Sequence, residues 1–156
     1  MFTYREMTLK DVRALAKLEK DNFPHPWSEE SLRKEVDKEE SLFIVAVEND
    51  NMNNEFVAGY AGMYIIGEEG DITNVVTNSL YRGRGIGNGL MDYIVSKSQE
   101  IGIKSITLEV RVSNKAAIHL YEAHGFINEG IRPGFYDNPK EDAIIMWNYL
   151  PQKNIL

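Results

Sequence analysis

The sequence predicts an α/β (α+β) fold, with a mixed, mostly antiparallel central sheet of about seven strands, about four helices and one βαβ unit in the middle. Three observations carry this. Short β-branched and aromatic runs bounded by turn residues recur along the chain. Amphipathic stretches at helical spacing fall between some of them. One glycine-rich stretch separates a strand-like run from a helix-like one. At 156 residues the chain reads as a single domain over 1–156, long enough to bury roughly 70% of its unfolded surface in one core.

Phe2 to Met7 reads as a first strand, and Thr8-Leu9-Lys10-Asp11 resembles a capping box that opens a helix with Leu9, Val12, Leu15 and Leu18 on one face. Two prolines break the chain at Phe23-Pro24-His25-Pro26-Trp27-Ser28, making Trp27 a rigid, partly exposed corner, and Ser28 can cap a second helix running to about Val36. Leu42 to Glu48 and Phe56 to Ile66 form a hairpin across the polar turn Asn49 to Asn54. Asp71 to Thr77 adds the next strand. A helix with Ile86, Leu90, Ile94 and Ile101 follows, stopped by Gly102, and crosses over to a strand over Ser105 to Val110, parallel to the strand at Thr77. A last helix runs from Asn114 to Gly125, and Phe126 to Arg132 and Asp142 to Leu150 close the sheet.

The stretch from Tyr81 to Leu90 carries four glycines and two arginines at a helix start. Glycines admit a ligand close to the backbone, and the first-turn N–H groups carry about half a positive charge, so the stretch suits a phosphate or pyrophosphate. A triphosphate P-loop needs Lys-Ser/Thr after its last glycine, but Leu90 and Met91 follow Gly89. A Gly-x-Gly-x-x-Gly fingerprint counted from Gly83 ends on Asn88, and from Gly85 on Leu90. Both readings fail.

Arg82-x-x-Gly85-x-Gly87 resembles the pyrophosphate loop of the GNAT acyl-CoA N-acyltransferases. The run from Leu108 to Phe126 resembles the second signature of that family, with Asn114, Ala116-Ala117-Ile118, Leu120-Tyr121-Glu122 and Gly125-Phe126 in register. The Pro26-Trp27-Ser28 turn and the segment Arg132 to Met146 narrow the resemblance to the ribosomal-protein alanine N-acetyltransferase (RimI) family. It covers nearly the whole chain, with two departures: Phe135-Tyr136 where several members have Tyr-Tyr, and Asn78-Ser79 where many have a proline.

The resemblance implies a sheet splayed between its fourth and fifth strands, with the pantetheine arm of acetyl-CoA in the opening, beside Val75, Val76 and Thr77. It implies a pyrophosphate cradle of Arg82, Gly83, Arg84, Gly85, Ile86, Gly87 and Asn88, and a cofactor contact at Asn114, which could equally cap its helix. Trp27, Arg132 and Tyr136 are the implied acceptor-binding residues.

Amine attack on a thioester needs a neutral amine, a stabilised oxyanion and a proton for the departing thiolate. Glu109 interrupts the apolar residues of a strand, where alternation puts it on one face with Arg111 and opposite Leu108 and Val110. A polar face or an ion pair would explain it too, but it matches the family's catalytic glutamate and is the expected base. Tyr121 shares a helix face with Asn114, Ala117 and Ile118. A tyrosine there could simply be core; the family match makes it the expected general acid. His25, His119 and His124 match no family catalytic position, are read as surface residues, and show no metal-ligand spacing. No metal is expected.

Composition agrees. With no cysteine, a disulfide framework and a cysteine acyl-enzyme are excluded, so the acyl group passes directly or through another nucleophile. No apolar run approaches 18 residues and the N-terminus lacks a signal-peptide core, which leads to an expectation of a cytoplasmic protein without membrane partners. A net charge of −7 disfavours direct nucleic-acid binding and favours a cationic acceptor. The expected acceptor is a basic protein N-terminus, the terminal alanine of small-subunit ribosomal protein number eighteen. A small-molecule amine (a polyamine or an aminoglycoside) is the alternative, and a non-catalytic acyl-CoA-binding regulator the third reading. Oligomeric state leaves no mark on the sequence.

Overall fold

A computed structural model describes residues 1–151; the last five residues of the expected 1–156 domain lie outside the described residues. The chain folds as β1 (Phe2–Glu6), α1 (Val12–Asn22), α2 (Glu29–Arg33), β2 (Ser41–Asn49), β3 (Glu55–Ile66), β4 (Glu69–Thr77), α3 (Ile86–Glu100), β5 (Ser105–Arg111), α4 (Lys115–Ala123), β6 (Ile127–Tyr136) and β7 (Glu141–Tyr149). The seven strands form one sheet in the order β1-β2-β3-β4-β5-β7-β6, antiparallel except where β4 meets β5. The mixed, mostly antiparallel sheet with four helices is therefore as expected.

The capping box forms: the Thr8 N–H donates to Asp11 Oδ2 at 2.8 Å, opening a single 3-10 turn before α1. The Asp50 carboxylate closes the β2–β3 turn by accepting from the Met52 and Asn54 N–H groups. One helix is shorter than expected. Ser28 does cap α2, but the helix stops at Arg33 rather than near Val36. The N–H groups of Glu35 and Val36 reach back only three residues, tightening the chain into a turn that Asp37 leaves at φ 60. At the other end of the chain, β6 runs on past Arg132, where the expected strand ends, to Tyr136, its pairing with β7 irregular between those residues.

Two cores flank the sheet. Leu15, Leu18 and Leu32 pack with Phe43, Val45 and Val76 on one face. Ile86, Leu90 and Ile94 of α3 pack with Ile72, Ile106 and Leu108 on the other, where Tyr121 and Phe126 join them. A β-bulge decides which face receives each β4 side chain. Gly62 pairs with Asn74 and Met63 with Ile72, which leaves Thr73 as the extra residue. Ile72 therefore faces α3, whereas Asn74 turns with Val76 to the α1 side.

The β4–β5 contact positions the site. These strands pair in parallel only over Glu69–Asp71 with Ser105–Thr107. The parallel pairing expected near Thr77 is thus at the opposite end of β4, and beyond Asp71 the strands part. The β5-facing edge of β4 from Ile72 to Thr77 has no strand beside it among the described residues.

Candidate active site

Where β4 and β5 part, a cleft of about 750 Å³ opens, bounded by Thr73 to Val75, Leu108 to Arg111, the Asn22 to Trp27 loop and the β6–β7 turn. Glu109 enters it from β5. Its Oε1 lies 3.6 Å from Arg132 Nη1, which reaches over from β6. Tyr121 enters from α4 and is almost fully buried against Phe126. Burial, with Tyr136 adding a smaller effect, pushes its phenol well above the ordinary value, and a phenol is protonated and able to donate at neutral pH in any case. Tyr136 is pushed up to about 12, by burial first and then by the Glu109 charge. The Arg111 guanidinium sits 4.4 Å over the Tyr136 ring and bonds Glu141, which also accepts from the Ser113 N–H at 2.7 Å. These bonds fix the turn from β5 into α4, where Asn114 accepts from the Ala117 N–H and caps the helix.

The glycine loop lies at the far end of β4. Gly85 caps α3 in the left-handed region at φ 80, with no side chain to satisfy the first-turn N–H groups. These donors point into the loop and suit a pyrophosphate. Gly89 serves packing instead, because a Cβ there would overlap the Tyr4 ring. Loop and cleft lie at the two ends of one strand edge, an arrangement that suits a long cofactor with a phosphate-bearing head and a reactive tail.

The family model of the GNAT acetyltransferases matches residues 12–126. This chain belongs to the GNAT acetyltransferase family. It is 30% identical over 148 residues to the ribosomal protein bS18-alanine N-acetyltransferase of Escherichia coli, covering 94% of this chain and 96% of that one. A Bacillus subtilis protein provisionally named for the same activity is 34% identical over 143 residues, 92% of each chain. The crystal structure of the Escherichia coli ribosomal-protein-S18-alanine N-acetyltransferase superposes with a TM-score of 0.85 at 28% identity, covering 99% of this chain and 97% of that one. The chain is accordingly an N-acetyltransferase.

In this GNAT fold the cleft gathers Trp27, Val75, Glu109, Asn114, Tyr121 and Tyr136 from the residues singled out in the sequence. Val76 is buried on the α1 side, and neither it nor Thr77 lines the cleft, so any ligand contact there is through backbone. Ile86 is likewise a core side chain with only its backbone in the loop. Arg82 bonds Asn22 Oδ1 at 3.2 Å. Arg84 stacks 4.8 Å over Phe2 and lies 3.5 Å from Glu48, and Gly83 opens the loop at φ 78. Asn88 Oδ1 meets His124 Nε2 at 3.0 Å, and His124 Nδ1 lies 3.3 Å from Asp92. His124 is therefore no plain surface residue: it ties α4 to α3 behind the glycine loop. Among the described residues, no three histidine or carboxylate side chains group as metal ligands would.

Sequence reasoning missed Glu19. It lies four residues beyond Leu15, in the apolar stripe of α1, and is only 1% exposed. Its carboxylate accepts from the Tyr60 hydroxyl at 2.5 Å, Asn74 Nδ2 at 3.0 Å and the Trp27 N–H at 3.0 Å. An acid inside a helical apolar stripe was the available signal.

Proposed function

We propose that this enzyme transfers the acetyl group of acetyl-CoA directly to the α-amine of a protein N-terminus, the terminal alanine of ribosomal protein bS18. The carrying observation is the single cleft at the β4–β5 opening that Glu109 enters from the sheet and Tyr121 from α4. Glu109 collects the proton of the attacking amine, directly or through water. Tyr121, a phenol that is protonated at neutral pH, donates to the departing sulfur as the C–S bond breaks. Relatives that cover more than nine-tenths of the chain and carry this activity in their names support the acceptor.

The chemistry supports an α-amine. Its pKa of about 7.7 to 8.0 leaves a usable neutral fraction at pH 7, whereas a lysine ε-amine at about 10.4 asks more of one carboxylate. The cleft mouth carries an acidic group besides Glu109. Asp137 lines it from the β6–β7 turn. Such a mouth suits basic residues after the acceptor amine. Under this reading Trp27, Arg132 and Tyr136 contact the acceptor, and Val75 to Thr77, the Arg82 to Asn88 loop and Asn114 contact acetyl-CoA. No described helix is long and apolar enough to cross a membrane. Under this reading the enzyme acts as a single domain in the cytoplasm, without membrane or nucleic-acid partners.

Competitive turnover with acetyl-CoA tests the acceptor, using equal concentrations of a peptide beginning Ala-Arg, spermidine and an aminoglycoside, with mass spectrometry locating the acetyl group. The peptide is acetylated fastest, at its N-terminus. Faster modification of a small amine would assign the enzyme to that class instead, and binding of acetyl-CoA without transfer to any amine would make it a regulator.

A further inference from the structure

The Glu19 network leaves one atom unmatched. Asn74 is 8% exposed, and its Oδ1 has no hydrogen-bond partner among the described residues. A buried amide oxygen without a donor is costly, because it has given up water for nothing. The orientation of the amide is set by its neighbour: a carboxylate only accepts, so Nδ2 must face Glu19 and Oδ1 must face away from it. Asn74 lines the cleft, and the Thr73 bulge turns its side chain to the α1 side of the sheet. Glu109 lies on that same side, because its strand neighbours Leu108 and Val110 pack into the α3 core.

We propose that Asn74 Oδ1 accepts an N–H of the acceptor's amine opposite Glu109, and that Glu19 is the positioning residue that fixes it there. The inference rests on the acetyltransferase reading but not on the acceptor being a peptide. An amine that gives one hydrogen to Glu109, directly or through water, has another to give Asn74, which leaves its lone pair for the thioester carbon. The carboxylate that orients Asn74 also holds the Trp27 N–H, so the acceptor loop and the amine-binding oxygen share one anchor.

The test compares Asn74→Leu with Tyr60→Phe. Each removes one donor to Glu19, but Tyr60 is fully buried and does not line the cleft. Asn74→Leu lowers acceptor kcat/KM about 10-fold or more with the KM for acetyl-CoA unchanged, while Tyr60→Phe stays within about 3-fold of wild type. Losses of equal size in both variants, or an unchanged acceptor kcat/KM in Asn74→Leu, overturn the proposal. If spermidine is turned over and the Ala-Arg peptide is not, the peptide reading fails and the same comparison is made with spermidine. A binding readout covers variants that fold poorly and a wild type that turns over neither amine. In the wild-type protein the Asn74 side-chain amide resonance shifts on adding the Ala-Arg peptide or spermidine and not on adding the N-acetylated form of the same amine; equal shifts, or no shift with either amine, overturn the assignment.

Discussion

Arg132 Nη1 lies 3.6 Å from Glu109 Oε1, although β7 separates their strands in the sheet. The arginine is half exposed and the pair is loosely spaced, so its contribution to stability is small, within about 1 kcal/mol. We expect its contribution to function to be larger, because it would orient the proposed base. Arg132→Ala is expected to leave thermal stability nearly unchanged and to lower kcat/KM by roughly 3- to 30-fold. In a Glu109→Gln background the same change should cost much less, since the group it orients is gone. Additive losses measured across this double-mutant cycle would separate the two residues.

Glu109→Gln removes the proton acceptor with little change of shape. Turnover is expected to fall roughly 10²-fold or more at neutral pH, with acetyl-CoA affinity nearly unchanged. Tyr121→Phe keeps the ring packed on Phe126 and removes only the hydroxyl. A comparable fall in turnover with a folded, acetyl-CoA-binding protein is expected. Single-turnover kinetics isolates the chemical step, and wild-type rates in both variants would remove these two residues from the mechanism.

The glycine loop separates conformational from packing demands. At Gly85 a Cβ meets nothing within 4 Å, but φ 80 disfavours a β-branched residue. Gly85→Val is therefore expected to distort the α3 N-terminus, cost about 1–2 kcal/mol and abolish acetyl-CoA binding by calorimetry. Gly89→Ala drives a methyl group into Tyr4 and is expected to destabilise by about 1–3 kcal/mol, with acetyl-CoA affinity of the folded protein close to wild type. The reverse pattern would move the phosphate site off Gly85.

Most of the strands and helices could be read from the sequence because their periodicity is local. So could Glu109, which breaks an apolar alternation, and Tyr121, which stands in a recognisable run. Asn74 and Glu19 could not. They lie 55 residues apart and meet only because a one-residue bulge turns Asn74 toward α1. Alternation alone would have set Asn74 on the Ile72 face. The early end of α2 escaped notice for a similar reason, since Glu35 turns inward to Tyr64 through a contact across 29 residues. The expected strand ends at Arg132, before Pro133 and Gly134, yet these two sit in an edge strand, where a missing N–H is tolerated.

The Asp11 cluster gives the stability of the α1 anchor a defined pH dependence. Burial alone would raise this carboxyl, but two bonds from the Arg5 guanidinium, at 2.8 and 3.0 Å, and the Thr8 N–H bond outweigh it and hold Asp11 below its ordinary value. A group that titrates lower when folded contributes fully above its unfolded value, near 3.8, and loses that contribution as pH falls through the folded value. Asp11→Asn should thus cost about 1–3 kcal/mol at pH 7, through the part-buried Arg5 and Thr8 hydrogen bonds to the Asp11 carboxylate that it weakens. The gap to wild type should hold steady down to about pH 5 and narrow below about pH 4. Urea unfolding of both proteins across this range measures it. A gap that stayed constant into strong acid would mean that Asp11 acts through shape rather than charge, and that the turn leading into α1 is held by its backbone alone.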